Sequence, residues 1–430
     1  MNRSGGALAR SPTPRLVAAT SPALPACDPL ALLQSFPGSR RFYFEQPSAG
    51  IALAGVGATT TVAAGGPARF QEIAAGLRDL TDGGPLPPDV VAIGGFAFDD
   101  RPPDAGAWRG FPAAEWVVPR IMLVRRGGRA HLVATATDPG DDLSRVLAQA
   151  RAALLRPFAT VPSSVSFHAV GAPSAPWRRA VEATRDDIAG GHLAKLVLAR
   201  ACSVRTTAPF DPLRVLARLR SANPGCTIFG VSQGAGMFVG ASPERLARVI
   251  GRRLDTAALA GTAPRSIPGY ALASNPKERA EHAFVVDDIV RELAALSDDV
   301  VAAHAPRVLT TESLRHLHTP IRALLRPGRG LLDAVAALHP TASICGAPRP
   351  IARATLGRRE RTSRGWYAGG VGWLDASGGE VVVALRTALL RGVTALLHAG
   401  AGIVAGSTWD AELEETRLKM RPLLAALLEL

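Results

Sequence analysis

The pattern of apolar and polar positions predicts many short strands with single helices between them. Strand patterns occur at 51–63, 90–100, 116–136, 193–205, 226–250, 308–318, 366–375, 380–391 and 395–404. Helical patterns occur at 141–155, 177–189, from 212 onward, from 276 to about 296, and at 409–428. These are typical of alternating half-buried strands and of amphipathic helices. Antiparallel strand runs with single helices indicate an α+β fold rather than repeated β–α–β units.

Helix boundaries are marked by residues that cap or end helices. Asp211-Pro212 and Asn275-Pro276 each supply an N-cap and a first-turn proline, and Gly190-Gly191 supplies a C-terminal stop. Pro422 predicts a kink or restart in the last helix. Gly127-Gly128 predicts the turn of a hairpin within 116–136.

We expect one large domain over residues 28–430, with the motif-bearing part at about 170–430. Residues 1–27 hold arginines but no acidic residue and much Ser, Ala and Pro, which predicts a disordered tail. An organelle transit peptide has a similar composition and is the alternative. Residues 157–165 are the best linker candidate, although no change in composition requires a second domain.

Composition and charge exclude several classes of protein. Hydrophobic residues make up 47% of the chain, but no apolar run reaches the length of a membrane span. The four cysteines lack zinc-site spacing, which favours reduced thiols and a cytoplasmic protein. The net charge of +13 comes from dispersed arginines, with only 5% aromatic residues. We therefore expect no membrane and no nucleic-acid partner.

Lysine is almost absent from this basic chain. Of 49 Lys and Arg residues, only Lys195, Lys277 and Lys419 are lysine. An arginine cannot be deprotonated in a protein, whereas a buried lysine can act as a neutral base. Each lysine is therefore a candidate for chemistry that arginine cannot perform.

Two of the predicted helices carry paired acids. Glu278 and Glu281 are three residues apart, as are Glu412 and Glu415, with Lys419 four residues after Glu415. Such spacing places side chains on one helix face. A solvated acidic face explains either pair on its own. A joint oxygen site for Mg²⁺ explains both pairs together.

Other short stretches offer polar or flexible positions whose ordinary interpretation is a loop or turn. They are Glu244 in SPE at a strand end, the Gly261-Thr262 turn, the small-residue loop 398–407 with Gly400 and Gly402, and Arg386 on a predicted strand. Small residues let a planar ligand approach the backbone, and arginine pairs with carboxylates through two hydrogen bonds.

In order along the chain, these stretches resemble the chorismate-utilising enzymes, which include isochorismate, salicylate, anthranilate and aminodeoxychorismate synthases. The matching stretches are KLVLAR, GASPERL, LAGTAPR, KERAEH, RHLHT, LHPTASICGAPR, WYAGGVGW, VALRTA, AGAGIV and ELEETRLK. They cover about residues 175–428 densely and the N-terminal part loosely.

The resemblance implies a single α+β domain of two packed antiparallel sheets with helices outside. It implies that Lys195 is the base that activates water and Glu244 the acid that protonates the departing hydroxyl. The implied Mg²⁺ ligands are Glu281 and Glu415, supported by Glu278 and Glu412. The implied substrate-binding residues are Gly261, Thr262, Ile344, Tyr367, Arg386, Gly400, Gly402 and Lys419.

Among the members of the family, Lys195 favours those that add water to chorismate. The amine-adding members typically have Gln at that position and use a glutaminase partner, for which no segment is visible here. The stretch LHPTASICGAPR resembles the isochorismate-synthase form, so we expect chorismate to be converted to isochorismate. A salicylate synthase, which also eliminates pyruvate, is the alternative. A non-catalytic binding relative is disfavoured because Lys195, Glu244 and the four glutamates are all present.

Two further points concern product and context. Ala342 and Ser343 stand where the family usually has Pro-Ala, so whether Ser343 changes the outcome at the enolpyruvyl group is open. The isochorismate could serve menaquinone, a catechol siderophore or salicylate. The resemblance implies a monomer that needs no glutaminase subunit.

Overall fold

A computed structural model describes residues 15–102, 106–159, 167–170, 174–310, 314–360 and 362–428. The linker candidate at 157–165 lies mostly outside the described residues. None of the helices in these ranges combines the length and apolarity needed to cross a membrane.

Twenty-two strands are formed within the described ranges. The first nine are β1 (Val17–Thr20), β2 (Arg41–Gln46), β3 (Ile51–Val56), β4 (Thr60–Ala64), β5 (Ala92–Phe96), β6 (Ala114–Val118), β7 (Ile121–Arg126), β8 (Arg129–Ala136) and β9 (Phe167–Val170). The next are β10 (Lys195–Thr206), β11 (Thr227–Gln233), β12 (Gly236–Ser242), β13 (Arg245–Ile250), β14 (Arg253–Pro264), β15 (Ser297–Ala302) and β16 (Arg307–Thr310). The last are β17 (Leu314–Leu325), β18 (Gly346–Ala347), β19 (Gly370–Asp375), β20 (Gly378–Val383), β21 (Thr387–Arg391) and β22 (Thr394–Ile403).

The strands form two antiparallel sheets. The first has twelve strands in the order β1-β8-β7-β3-β2-β11-β12-β21-β22-β10-β18, with β9 also paired to β10. The second has ten in the order β15-β17-β14-β13-β20-β19-β5-β6-β4, with β16 also paired to β17. Aromatic side chains fill the space between the sheets, as where Phe238 of β12 meets Trp366, just before β19, edge to face at 6.3 Å.

Ten helices lie within the described ranges. They are α1 (Pro29–Ser35), α2 (Arg69–Asp79), α3 (Leu143–Leu154), α4 (Ser174–Ala189), α5 (Pro212–Ala222), α6 (Gly269–Ser274), α7 (Pro276–Ala294), α8 (Leu331–Leu338), α9 (Arg349–Arg359) and α10 (Trp409–Leu428). Helices α1, α3, α5 and α10 pack on the first sheet, while α2, α7 and α8 pack on the second. The predicted fold class, two packed sheets with helices outside, is confirmed.

Most predicted helix ends match the structure because a local interaction determines them. Asp211 accepts hydrogen bonds from the backbone N–H groups of Leu213 and Arg214, and so begins α5. Gly191 follows α4 with a positive φ of 75°. Pro422, in contrast, lies inside α10, which continues from Trp409 to Leu428. The predicted restart of this helix at Pro422 is therefore wrong.

The N-terminal part of the chain differs from the expectation in two places. Residues 1–14 lie outside the described residues, but Val17–Thr20 forms β1 and pairs with β8 at the edge of the first sheet, so the predicted tail does not reach residue 27. The single strand predicted at 51–63 is two strands, β3 and β4, in different sheets. Gly57, with a φ of 70°, allows the chain to leave one sheet for the other.

The chain also passes between the sheets at two adjacent places, which we call the crossing segments. Residues 243–244 join β12 to β13, and residues 384–386 join β20 to β21. Ser242 Oγ donates to the carbonyl of Val383 over 2.6 Å, and the amide of Val383 donates to the carbonyl of Glu244 over 3.0 Å. Arg386 ends the second segment with a φ of 51°, so it lies in a strained turn rather than on the predicted strand.

Candidate active site

A cavity of about 780 Å³, including solvent at its mouth, lies between the two sheets. The first sheet contributes β10 and β22, and the second contributes β14 and β17. Helices α7 and α10 and both crossing segments complete the wall. The predicted site residues that line it are Lys195, Glu244, Gly261, Glu281, Ile344, Tyr367, Arg386, Gly400, Gly402, Glu415 and Lys419. Residues up to 224 positions apart in sequence thus meet in one cavity.

Lys195 is the first residue of β10 and its side chain is 8% exposed. Its Nζ donates to Glu281 Oε1 over 2.5 Å. Gly402 on β22 lies beside it, and a Cβ added there would come within 2.9 Å of Lys195 Cε. The glycine therefore leaves the space that the lysine side chain occupies.

The two helices that carry paired acids each direct one acid to the cavity. Glu281 of α7 bonds to Lys195, and Glu415 of α10 accepts a bond of 2.5 Å from Lys419 Nζ. Lys419 also donates to the carbonyl of Gly400 over 3.0 Å, which ties α10 to β22. Each of these two glutamates is therefore hydrogen-bonded to a lysine of the cavity wall.

The other acid of each pair, Glu278 or Glu412, lies outside the cavity wall. Glu278 does not line the cavity, and its Oε2 would be 3.3 Å from a Cβ added at Gly261. Glu412 is buried and does not line the cavity either. The spacing of three residues is less than a full helical turn, so the two acids of a pair point in directions about 60° apart. Supporting roles for Glu278 and Glu412 stay predictions.

The donor set suits Mg²⁺ better than a metal held by protein alone. Among the described residues, no group of three or more His, Cys, Asp or Glu side chains could hold a metal ion. Besides Glu244, the glutamates of the cavity wall are Glu281 and Glu415, one from each helix. Mg²⁺ retains several waters and takes one or two protein carboxylates together with substrate oxygens, whereas a structural zinc site needs four protein ligands.

Glu244 lies in the first crossing segment, enclosed by both sheets. Burial raises the pKa of its carboxyl from 4.5 to about 7. The Ser343 hydroxyl, which donates to Oε1 over 2.8 Å, acts in the opposite direction, as do the charges of Arg386, Lys195 and Lys419. A carboxyl with this pKa keeps its proton over much of the range in which a general acid works.

The predicted turn at Gly261-Thr262 is part of strand β14. The register of β14 against β17 shifts between Ala260 and Thr262, which marks a β-bulge, and Gly261 has a φ of 75°. Gly261 lines the cavity, whereas the side chain of Thr262 lies outside the described residues.

The small-residue segment 398–407 was predicted as a loop and overlaps the strand predicted at 395–404. Strand β22 extends to Ile403, so the strand prediction is the correct one for the first part of this segment. Gly400 and Gly402 therefore lie on one face of a strand. A Cβ at Gly400 would be 3.0 Å from Tyr367 Oη, so this glycine makes room for the tyrosine. Burial raises the pKa of Tyr367 to about 12, which keeps the phenol protonated.

Two histidines of the cavity wall were not among the predicted site residues. His398 stacks on Tyr367 with ring centroids 5.2 Å apart, and burial lowers its pKa to about 3. Burial also lowers the pKa of His316 well below 6.5, so both rings are neutral. His398 could have been found from the sequence, because a strand with Gly400 and Gly402 on one face places residue 398 on that face as well.

The chain is similar to known proteins over most of its length. A family model described as chorismate binding enzyme matches residues 6–428. The salicylate biosynthesis isochorismate synthase of Pseudomonas aeruginosa is 35% identical, and the match covers 93% of this chain and 88% of that protein. The isochorismate synthase MenF of Bacillus subtilis is 32% identical over 78% of this chain and 74% of that protein.

Two solved structures show the same architecture. MenF, the menaquinone-specific isochorismate synthase from Escherichia coli, matches 98% of this chain and 97% of its own with a TM-score of 0.83 and 28% identity. Component I of anthranilate synthase from Streptococcus pneumoniae matches 77% and 80% with a TM-score of 0.68 and 27% identity. The similarity therefore extends through both sheets and the elements that surround the cavity.

Proposed function

Because this chain belongs to the chorismate-binding enzyme family, we propose that it is an isochorismate synthase that uses Mg²⁺. The observation that carries the proposal is the composition of one cavity: a buried lysine, a buried carboxyl that retains its proton near neutral pH, and two further carboxylates. Such a set suits acid–base chemistry on a small anionic substrate. The relatives named isochorismate synthase support the same reaction.

In the proposed reaction, Lys195 takes one proton from a water molecule whose oxygen attacks C2 of chorismate. Both double bonds of the ring diene shift by one position, to C1=C6 and C4=C5, as the bond from C4 to its hydroxyl breaks. Glu244 gives its proton to that hydroxyl, which departs as water. One water is consumed and one is released, so isochorismate is an isomer of chorismate. The base must be neutral to accept a proton, which a lysine can be and an arginine cannot.

The remaining predicted residues would bind and orient the substrate. Glu281 and Glu415 would hold Mg²⁺, which when bound neutralises the ring carboxylate of chorismate. Arg386 and Lys419 supply positive charge for the substrate's carboxylates. Gly261, Gly400 and Gly402 let the ring approach the backbone.

The proposal concerns the reaction rather than the pathway. Relatives named for salicylate biosynthesis and for menaquinone both match this chain. Product analysis distinguishes isochorismate from the alternative products, salicylate and pyruvate.

The test is incubation of the purified protein with chorismate, with and without Mg²⁺, followed by chromatography of the products. We expect isochorismate in amounts equal to the chorismate lost, no formation after chelation of the metal, and no anthranilate when ammonium is added. Salicylate and pyruvate appearing at the rate of chorismate loss would identify a salicylate synthase instead. Binding of chorismate without turnover would indicate a binding protein.

Two variants test the base within the same assay. Lys195→Ala should reduce isochorismate formation by at least the roughly 10²-fold typical of a general base. Lys195→Arg should be equally impaired, because it retains the charge but cannot be deprotonated. Near-normal turnover by the arginine variant would remove Lys195 from the role of base.

A further inference from the structure

Ser343 provides the one hydrogen bond that the Glu244 carboxyl receives from the residues that the structure describes. Its Oγ donates to Glu244 Oε1 over 2.8 Å and lies 2.7 Å from Thr341 Oγ1. A serine hydroxyl carries one proton, so a bond donated to Glu244 requires Thr341 to donate to Ser343. The three groups form a directed chain from Thr341 through Ser343 to the carboxyl.

A short backbone turn between α8 and β18 holds Thr341 and Ser343 in place for these hydrogen bonds. The amides of Ile344 and Cys345 donate to the carbonyl of Thr341 over 3.1 Å and 3.0 Å. Thr341 is buried, with 4% of its surface exposed. The Ser343 hydroxyl is therefore oriented by the turn in which it lies.

The bond from Ser343 determines which carboxyl oxygen carries the proton. In a protonated carboxyl, one oxygen donates its proton and the other accepts hydrogen bonds. With Ser343 donating to Oε1, the proton of Glu244 would reside on Oε2. No described residue forms a hydrogen bond with Oε2, and Glu244 lines the cavity. The acidic proton is therefore available to a substrate.

We propose that Ser343 is a positioning residue for Glu244, which keeps the acidic proton on Oε2 and stabilises the carboxylate that forms as this proton leaves. The proposal rests on the proposed function, in which Glu244 protonates a departing hydroxyl. The bond to Oε1 becomes charge-assisted as Glu244 ionises, and such bonds are stronger than neutral ones. The hydrogen bond from Ser343 therefore stabilises the transition state more than the ground state, and such a difference increases the rate.

The groups around Glu244 determine how its titration responds to Ser343. Arg386 and Lys419 face it with positive charge and favour the ionised form, as does Lys195 when it is protonated, while His316 is neutral. Burial outweighs them and raises the pKa of Glu244 to about 7, and the Ser343 bond is the largest influence that lowers it. Removing the Ser343 hydroxyl should therefore raise this pKa further.

The first measurement follows Glu244 itself rather than turnover. The infrared absorption of its protonated carboxyl is recorded against pH and identified by its loss in Glu244→Gln. In Ser343→Ala the titration midpoint should move up by about one pH unit, the size expected for a lost hydrogen bond to a charged group. Thr341→Val should move it less, because Ser343 can still donate, and Thr341→Ser should leave it unchanged.

The second measurement is the pH dependence of kcat. Ser343→Ala should lower kcat at pH 7 by about tenfold or more with little change in KM, and should shift the alkaline fall in kcat to higher pH. A purely structural effect would lower kcat without moving this limb. If Ser343→Ala folds poorly, the same measurements on Thr341→Val and its control Thr341→Ser test the proposal instead.

An infrared midpoint that stays the same in Ser343→Ala would overturn the proposal, even if kcat fell. A shifted midpoint together with a shifted alkaline limb would support it. If the unmodified protein makes no isochorismate, the proposed function fails. The infrared midpoints then still decide whether Ser343 controls the proton on Glu244, so the two failures are separate.

Discussion

Two of the three lysines of this chain lie in the cavity, each bonded to a glutamate at 2.5 Å. The ammonium of Lys419 contacts both Glu415 and the carbonyl of Gly400, a geometry that suits a compact group with three donors. A planar guanidinium has a different shape and donor arrangement. At both positions lysine thus has a physical reason to persist in a chain whose other cations are arginine.

The titration of Glu244 should be visible as a dependence of stability on pH. Its pKa is about 7 in the folded protein and near 4.5 when unfolded, so the folded state binds its proton more tightly. The resulting stability is fully present below pH 4.5 and is lost as pH rises through 7. The shift corresponds to about 3 kcal/mol. Glu244→Gln does not titrate and should not show this loss.

The measurement is urea unfolding of both proteins at pH 4.5, 6 and 8. The stability of Glu244→Gln relative to the unmodified protein should increase with pH over this range, while other titrating groups cancel in the comparison. A difference that stays constant from pH 4.5 to pH 8 would show that folding does not raise the pKa of Glu244.

Individual residues of the site were predictable where their chemistry is unusual. Lys195 stood out because lysine is rare here, and Glu281 and Glu415 because two helices repeat one spacing. The partners of these residues were not predictable. The bond between Lys195 and Glu281 joins positions 86 apart, and the bond from Ser343 to Glu244 joins positions 99 apart. Neither pairing leaves a local pattern in the sequence.

At the scale of elements, strand β22 shapes the cavity through the side chains that it lacks. In Gly402→Ala the new Cβ would lie 2.9 Å from Lys195 Cε and 3.5 Å from Glu281 Oε1. The lysine side chain must shift, so kcat should fall by up to about 10²-fold, the loss that misplacement by an ångström can cause. The fold should persist, because the displaced atoms are at the end of a flexible side chain.

Gly406→Ala is the matched control, since a Cβ there meets nothing within 4 Å. Steady-state kinetics and thermal unfolding of both variants form the test. Equal activities of the two variants would show that the space beside Lys195 is not needed.

Elements were predictable where short-range interactions form them, as at Asp211 and Gly191, and less so where the two sheets compete for one segment. The stretch 51–63 alternates as a single strand would, yet its two halves pair with β7 and β6 in different sheets. The stretch 380–391 is likewise divided at Arg386. The breaks in these strands depend on pairing partners that are distant in sequence. The hydrophobic pattern of a single stretch does not indicate which strands it will pair with.

At the scale of the whole molecule, the two glutamates proposed to hold Mg²⁺ come from helices that pack on different sheets. Helix α7 with Glu281 packs on the second sheet, and α10 with Glu415 packs on the first. An ion held by both should bind the folded protein only, and should raise Tm with increasing Mg²⁺. Glu281→Gln should weaken this Mg²⁺ effect by at least about tenfold in concentration.

The control is Glu278→Gln, which alters the same helix at a position outside the cavity wall. Its Mg²⁺ titration, followed by thermal unfolding, should lie closer to that of the unmodified protein. If Glu281→Gln and the unmodified protein respond alike, Glu281 does not bind the ion.

The α+β class follows from the strand and helix patterns, but the two-sheet architecture was predicted only through the resemblance to a family. The strand order explains why. β2 pairs with β11 and β12 pairs with β21, each across a large part of the chain. Such pairings depend on the whole set of strands rather than on any one of them.

The crossing segments have a consequence for anyone who recombines this protein with a homologue. Glu244 and Arg386 lie on the two adjacent crossing segments, which pass from one sheet to the other. These segments are hydrogen-bonded to neighbouring strands, and the amide of Ala241 donates to the carbonyl of Arg386 over 3.1 Å. Exchanging one layer as a block would sever both stretches. The two layers must therefore be inherited together, and only whole-chain exchanges or swaps of peripheral hairpins would preserve the chemistry.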